Sequence, residues 1–330
     1  MTDVPRSAVP VTALRGLTAD PAKREAYRYD TYLREGLRWF ARSADPGCPE
    51  DVTFVVLKPD AVAGRRCDLI LDLLRERGWS PVAATVMRFD PLLTRELWRY
   101  QFNAASEQRI AVVDHLLGSG PSLLVLLRDI VRPGGLPASV RLTAAKGAAE
   151  PRAARASDLR TRIGRVNGLF NFIHTADDPA DVIRELQLFS YRTGWDWCRR
   201  SLVRPSAATT GAGQQDTWLR DLLAEVTAEI PAHDLDLSAS LGRIATRDDR
   251  WARLARDHGH RERIDRWLTE LDRTPLPDGP ARWDVLTVLT GWIECNEPGV
   301  APLLSTATAE AWTDRMAHSA EESRSAACPL

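Results

Sequence analysis

The sequence predicts an α+β fold: a ferredoxin-like antiparallel sheet with helices on one face, followed by an all-α C-terminal region. Three observations carry this. Between roughly residues 51 and 190, short apolar runs alternate with segments of helical period. Pro205–Asp216 (PSAATTGAGQQD) is a small-residue linker. Beyond it the strand pattern stops, while eight of the eleven tryptophans lie from Trp195 onward, which marks packed helices and not a disordered tail. The chain therefore divides into a helical extension (1–50), an α+β domain (51–195) and a helical C-terminal domain (196–330).

Taken in order, residues 1–20 are rich in Pro, Thr and Ala and read as irregular. Asp20-Pro21 gives an N-cap and first-turn proline for a helix over about 20–43, with Tyr32, Leu33, Leu37 and Phe40 at helical spacing. Asp45-Pro46-Gly47 ends it. Thr53–Leu57 is β-branched and apolar and reads as a buried strand. Leu69, Ile70, Leu73 and Leu74 mark a helix closed by Gly78, and Val82–Phe89 a second strand. Helices follow over about 91–104 and 107–117. Leu123–Leu127 is a third strand after the Ser119-Gly120-Pro121 turn, and a short helix lies near 138–146. Leu169–Ile173 reads as the fourth strand, and Asp178-Pro179 opens a helix carrying Val182, Ile183, Leu186 and Leu188. Trp218 to Leu223, Trp251 to Leu268 and Leu286 to Ile293 supply the later amphipathic helices, with more helix around 308–319.

Composition narrows the function classes. Apolar residues make up 44% and charged residues 27%, ordinary for a globular protein, and a net charge of −1 gives no field for nucleic acid or an anionic membrane. The five cysteines (Cys48, Cys67, Cys198, Cys295 and Cys328) are odd in number and dispersed, which argues against a zinc site or disulfide framework and fits a reducing cytoplasm. The N-terminus lacks a signal-type apolar region, and no run approaches the ~18 apolar residues of a membrane span. His258-Gly259-His260 reads as a helix end, with no further ligands to make a metal site.

Chemistry concentrates in three segments: VVLKPDAV (55–62), GSGPSLLVLL (118–127) and LFNFIHTADDPADVIRELQLF (169–189). A histidine with an ordinary pKa near 6.5 is a usable nucleophile at neutral pH. It can accept a phosphoryl group and hand it on, provided its second ring nitrogen has a partner that fixes the tautomer. His174 sits where a strand gives way to a helix, and Glu185, eleven residues later, can be brought back to it by a tight turn and two helical turns. Lys58 leaves the end of a strand beside a proline-fixed turn, where its ammonium can reach a phosphate. Asn171, three residues before His174, would face the opposite side of a regular strand, so the chain must bend for both to meet one ligand.

In this order and spacing the three segments resemble the nucleoside diphosphate kinase family, over about 140 residues. That family closes its first strand with K-P-D-G-V, places an S-G-P turn before a central strand, and carries an N-x-x-H-G-S-D active-site motif followed by a helix bearing a glutamate. The resemblance implies that His174 carries the phosphoryl group, that Glu185 orients it, that Lys58 assists, and that Asn171 contacts the ribose. Arg160 is similar to the phosphate-binding arginine of the family's I-R-G-D-F segment, Arg141 more weakly to its other arginine, and Phe102 (or Tyr100) stands where the family has a tyrosine. It also implies Mg²⁺ brought with ATP and a nucleoside diphosphate or specialised small-molecule phosphate acceptor; the family forms homo-oligomers, and whether this chain does stays open. The chain departs from the pattern at Thr175 and Ala176, which replace glycine and serine, at Phe170, which replaces an arginine, and at Arg109, near the place of the base-stacking aromatic. Residues 129–158 do not align, and with both terminal extensions they stand where oligomer contacts would form. Two readings stay open: a phosphotransferase, or a catalytically weak or inactive nucleotide-binding scaffold whose C-terminal helices engage a protein partner.

Overall fold

The computed structural model describes residues 8–131, 135–147, 153–203, 217–306 and 308–315. The linker Pro205–Asp216 and Cys328 lie outside the described residues. Four strands, β1 (Val52–Leu57), β2 (Trp79–Met87), β3 (Ser122–Asp129) and β4 (Ile173–Thr175), form one sheet in the order β2-β3-β1-β4. Every pairing is antiparallel. This is the ferredoxin-like order. All six residues of β1 are buried, as its continuous run of apolar and β-branched residues requires at the centre of a covered sheet.

The chain enters through α1 (Val11–Arg15), α2 (Pro21–Tyr27), α3 (Thr31–Ser43) and α4 (Cys48–Asp51). α5 (Pro59–Ala63) and α6 (Cys67–Glu76) join β1 to β2, and α7 (Pro91–Leu97) and α8 (Glu107–Leu117) join β2 to β3. α9 (Ala138–Lys146) and α10 (Leu159–Arg162) lead to β4, and α11 (Pro179–Thr193) leaves it. α12 (Arg199–Leu202), α13 (Thr217–Glu229), α14 (Leu237–Ala245), α15 (Arg250–His258), α16 (Ile264–Arg273) and α17 (Pro280–Trp292) complete the described helices with named bounds. None is long and apolar enough to cross a membrane.

Alternate strand residues feed two apolar clusters, because successive side chains point to opposite faces. Val55, Leu57, Val125 and Leu127 pack with Ile70 and Leu74 of α6, and the same cluster runs on through Leu219, Trp251, Trp267 and Trp283 of the later helices. Phe54, Val56, Leu124 and Leu126 pack on the other face with Leu33 and Phe40 of α3 and Ile183 and Phe189 of α11. Helices thus cover both faces and not one: α11 lies on the second face, and the N-terminal extension adds α3 outside α11. The crossing depends on Gly36: a Cβ there would lie 2.8 Å from both a side-chain and a backbone atom of Ile183.

The extension differs from expectation in two further places. Val11–Arg15 is helical, with Leu14 buried. The helix expected over 20–43 is two helices, because Asp30 starts a new one: its Oδ1 accepts from the Leu33 amide at 2.9 Å. Likewise α7 stops at Leu97, short of the expected 104.

Candidate active site

Lys58 follows β1 directly, with extended backbone, and Pro59 fixes the first turn of α5. Its ammonium is buried, donates to the Leu169 carbonyl at 2.8 Å and pairs with Asp60 at 3.5 Å. Burial lowers the Lys58 pKa more than Asp60 raises it, and burial raises the Asp60 carboxyl.

Asp60 also shapes the chain on the far side of the sheet edge. Its Oδ2 accepts from the Phe172 amide at 2.9 Å, while the Phe172 carbonyl accepts from the Lys58 amide at 3.0 Å. Between these contacts Phe172 has φ of +71°. A bulky residue held there costs on the order of 1–3 kcal/mol, so the surrounding bonds must impose it. The strand expected over 169–173 therefore does not form. The Asn167 side-chain carbonyl accepts from the Leu169 and Phe170 amides at 2.9 and 2.8 Å, a turn that replaces ladder bonds, and regular pairing begins only at Ile173. The bend at Phe172 brings Asn171 and His174 to the lining of one pocket.

His174 lies opposite Val56 in the sheet. Its Nε2 is 2.7 Å from Glu185 Oε2. Glu185 is aimed by the start of α11, where Asp178 Oδ1 accepts from the Asp181 amide at 3.1 Å and Pro179 occupies the first turn. Burial raises the Glu185 carboxyl above its ordinary range, more than the neighbouring imidazole lowers it. Trp98 meets the His174 ring edge-on, with centroids 5.2 Å apart.

Arg160 lines the same pocket. Its Nη1 donates to the Gly147 carbonyl at 3.0 Å and its Nη2 to that of Ile173 at 3.3 Å, while its Nε is buried without a hydrogen-bond partner among the described residues. Burial brings its pKa down to about 10. A guanidinium lining the same pocket as a histidine brings positive charge suited to an anion. Phe102 also lines the pocket, 6.1 Å from Trp98 and with the Arg109 guanidinium 5.6 Å from its centroid.

Arg141, expected as a second phosphate-binding arginine, is not among these residues. It forms a two-point pair with Asp129 at 2.5 and 2.7 Å and lies 3.5 Å over the Trp79 ring, so the β2–β3 edge holds it. One turn further along α9, Lys146 provides a cation at the other end: it is buried and pairs with Asp177 at 3.3 Å. Burial would raise the Asp177 carboxyl, but Lys146, Lys23 and His174 outweigh it and hold it below its usual range. Thr143, three residues before Lys146, donates to the Ala176 carbonyl at 3.0 Å and faces Thr175 Oγ1 at 3.4 Å. A hydroxyl from α9 thus supports the turn after the histidine, where residue 176 has none. The i, i+3 spacing of Thr143 and Lys146 was the signal available in the sequence.

The N-terminal extension reaches this turn as well. Lys23 is buried between Asp178 at 3.1 Å and Asp181 at 2.7 Å, and Tyr27 donates to Asp181 at 2.5 Å.

The pocket has a volume of about 140 Å³. Its far wall is supplied by Cys295 and Asn296, from the chain after α17. No carboxylate lines it among the described residues.

Residues 51–193 match the family model described as nucleoside diphosphate kinase. A nucleoside diphosphate kinase of Methanobrevibacter smithii is 29% identical over 143 residues, covering 42% of this chain and 85% of the relative. Among solved structures, the halophilic nucleoside diphosphate kinase of Halobacterium salinarum in complex with CDP is 24% identical, covering 42% of this chain and 87% of that one, with a TM-score of 0.35. The Aquifex aeolicus nucleoside diphosphate kinase is 21% identical, covering 42% and 94%, with a TM-score of 0.34. Residues 51–193 of this chain thus form a divergent domain of the nucleoside diphosphate kinase family, carried between helical extensions on both sides.

Proposed function

We propose that this protein is a phosphotransferase that carries a phosphoryl group on His174. The observation that supports it most directly is the 2.7 Å contact between His174 Nε2 and Glu185 Oε2 at a pocket also lined by Lys58, Arg160 and Asn171. With Nε2–H donating to Glu185, Nδ1 keeps its lone pair and is the nucleophile. In the first half-reaction an Nδ1–P bond forms, the bond from the γ-phosphorus to the bridging oxygen breaks, and a nucleoside diphosphate leaves. In the second, an acceptor oxygen attacks phosphorus, the N–P bond breaks, and the acceptor proton passes to solvent.

Lys58 and Arg160 neutralise charge on the transferring group, and Asn171 contacts the donor beside it; such transfer is mostly positioning and electrostatics. Phe102 and Trp98 form an apolar wall that limits water around the phosphohistidine. The acceptor is a nucleoside diphosphate or a specialised small molecule. Magnesium, brought with the donor, would screen charge on its phosphates, and Lys58 and Arg160 would meet the same charge from the protein side.

The test is incubation with γ-labelled ATP and Mg²⁺, followed by assay for an acid-labile, base-stable phosphoenzyme. Wild type should label and His174→Ala should not. Labelling that survives His174→Ala would overturn the mechanism.

A further inference from the structure

The pocket at His174 is bounded by residues outside the family domain. The segment 294–304, which follows α17, runs along residues 100–108. Ala105 and Asn296 form an antiparallel bridge, the Ser106 amide donates to the Cys295 carbonyl at 3.3 Å, and the Ser106 hydroxyl donates to the Glu294 carbonyl. The Glu297 amide donates to the Ala104 carbonyl at 2.9 Å, and that of Glu294 to Gln108 Oε1 at 2.9 Å. Asn103 clamps the far end, donating to the Ala301 carbonyl at 2.9 Å and accepting from the Leu303 amide at 3.0 Å. Bonds along its whole length make this segment a fixed wall and not a swinging lid.

The wall reaches the chemistry. Asn296 Oδ1 accepts from Arg109 Nη1 at 3.1 Å, and Arg109 lies over Phe102. Opposite, Gly168 stands against Cys295 so closely that a Cβ would meet its Sγ at 2.9 Å. About 140 Å³ remains, whereas sites that enclose a whole drug-sized organic ligand are usually ~300–1,000 Å³. Lys58, Arg109 and Arg160 line this remnant beside Trp98, Phe102 and Val113, so it offers cations to a phosphate but little room for the body of a nucleoside.

We propose that segment 294–304 makes the site selective for compact phosphate compounds: it grips the phosphate chain of a nucleotide without enclosing the nucleoside, and the acceptor is a phosphate-accepting molecule smaller than a nucleoside diphosphate. This rests on His174 being the phosphoryl carrier. Arg109, held by Asn296, is the residue that reads the acceptor beyond its reacting oxygen.

The test uses the full chain and two donors, ATP and phosphoramidate. From phosphoramidate, the P–N bond breaks, ammonia leaves, and the same Nδ1–P bond forms. Wild type should label His174 from phosphoramidate more readily, per mole of donor, than from ATP. The double variant Asn103→Ala/Gln108→Ala loosens the wall from outside the pocket. It should raise labelling from ATP about tenfold while leaving phosphoramidate labelling within about twofold. Equal or faster labelling of wild type from ATP, or a double variant that leaves the ratio unchanged, would overturn the selectivity. Calorimetric titration with pyrophosphate and with ADP judges it without chemistry. Pyrophosphate should bind about tenfold more tightly than ADP, and the reverse order overturns the proposal. If neither donor labels His174, the phosphotransferase reading falls, while the titrations still decide the selectivity.

Discussion

Glu185 reaches His174 from the second turn of α11 and holds Nε2 at 2.7 Å, so the imidazole, on the sheet edge, and its carboxylate, on a helix, are fixed by different elements. The partnership depends on Glu185 being ionised, and burial raises its carboxyl above the ordinary range. Phosphoenzyme formation should therefore decline on acidification at a pH above that of ordinary carboxylates. Glu185→Gln should lower the labelling rate by about 10²-fold and remove this limb of the pH profile. Rapid-quench labelling across pH checks both, and a Gln variant with wild-type rate and profile would show that Glu185 orients nothing.

Asp60 pairs with Lys58 and fastens Phe172 in its left-handed conformation. Asp60→Ala leaves a buried ammonium without its carboxylate. It should destabilise the protein by about 3–5 kcal/mol, as removal of one partner of a buried pair does. Chemical denaturation measures the loss. Asp60→Asn, which can still accept from the Phe172 amide, should lose less.

The cluster of Lys23 with Asp178 and Asp181 ties the N-terminal extension to the start of α11. Lys23→Met should cost about 3–5 kcal/mol, and adding Asp178→Asn should recover part of it. A double variant no more stable than Lys23→Met alone would contradict this.

The same cluster sets a pH dependence. Burial, opposed by Lys23, pushes the Asp178 carboxyl up to about 7, against an ordinary value of 3.8. Between these values the folded state holds a proton that the unfolded state has lost, so the Asp178 contribution to stability should fall as pH rises from about 4 to about 7. Denaturation curves at several pH values, compared with Asp178→Asn, isolate it: the variant should lose that slope.

Gly36→Ala drives a methyl into Ile183 at the α3–α11 crossing. It should destabilise by about 1–3 kcal/mol, as overpacking does. Ile183→Val in the same chain keeps both the Cγ2 and the carbonyl that the methyl meets, so it should not restore the loss, by thermal denaturation.

Much of this was legible in the chain. Thr53–Leu57 is β-branched and apolar and lies in one of the two inner strands; Asp178-Pro179 reads as a helix start and is one. The segments holding Lys58, Asn171, His174 and Glu185 converge because local signals fix each of their ends. Leu169–Ile173 misleads because its apolar run suits a strand, whereas Asn167 and Asp60, distant from each other in sequence, take its backbone amides. Arg141 misleads for a related reason: a carboxylate twelve residues earlier and a tryptophan ring outbid the pocket for its guanidinium. The wall from Cys295 and Asn296 could not be read at all, since it depends on how α13 to α17 dock and no local pattern encodes that.

Trp98, edge-on to His174 at 5.2 Å, gives the protein an optical indicator of its own. Indole emission responds to charge in its immediate surroundings, and a phosphoryl group on the imidazole would deliver negative charge beside that ring. Of the eleven tryptophans, Trp98 is the one whose ring contacts the histidine, so a Trp98→Phe chain supplies the blank against which its signal is read. Occupancy of the carrier residue then becomes something that can be followed continuously, in solution, without a radioactive donor or a chromophore added from outside.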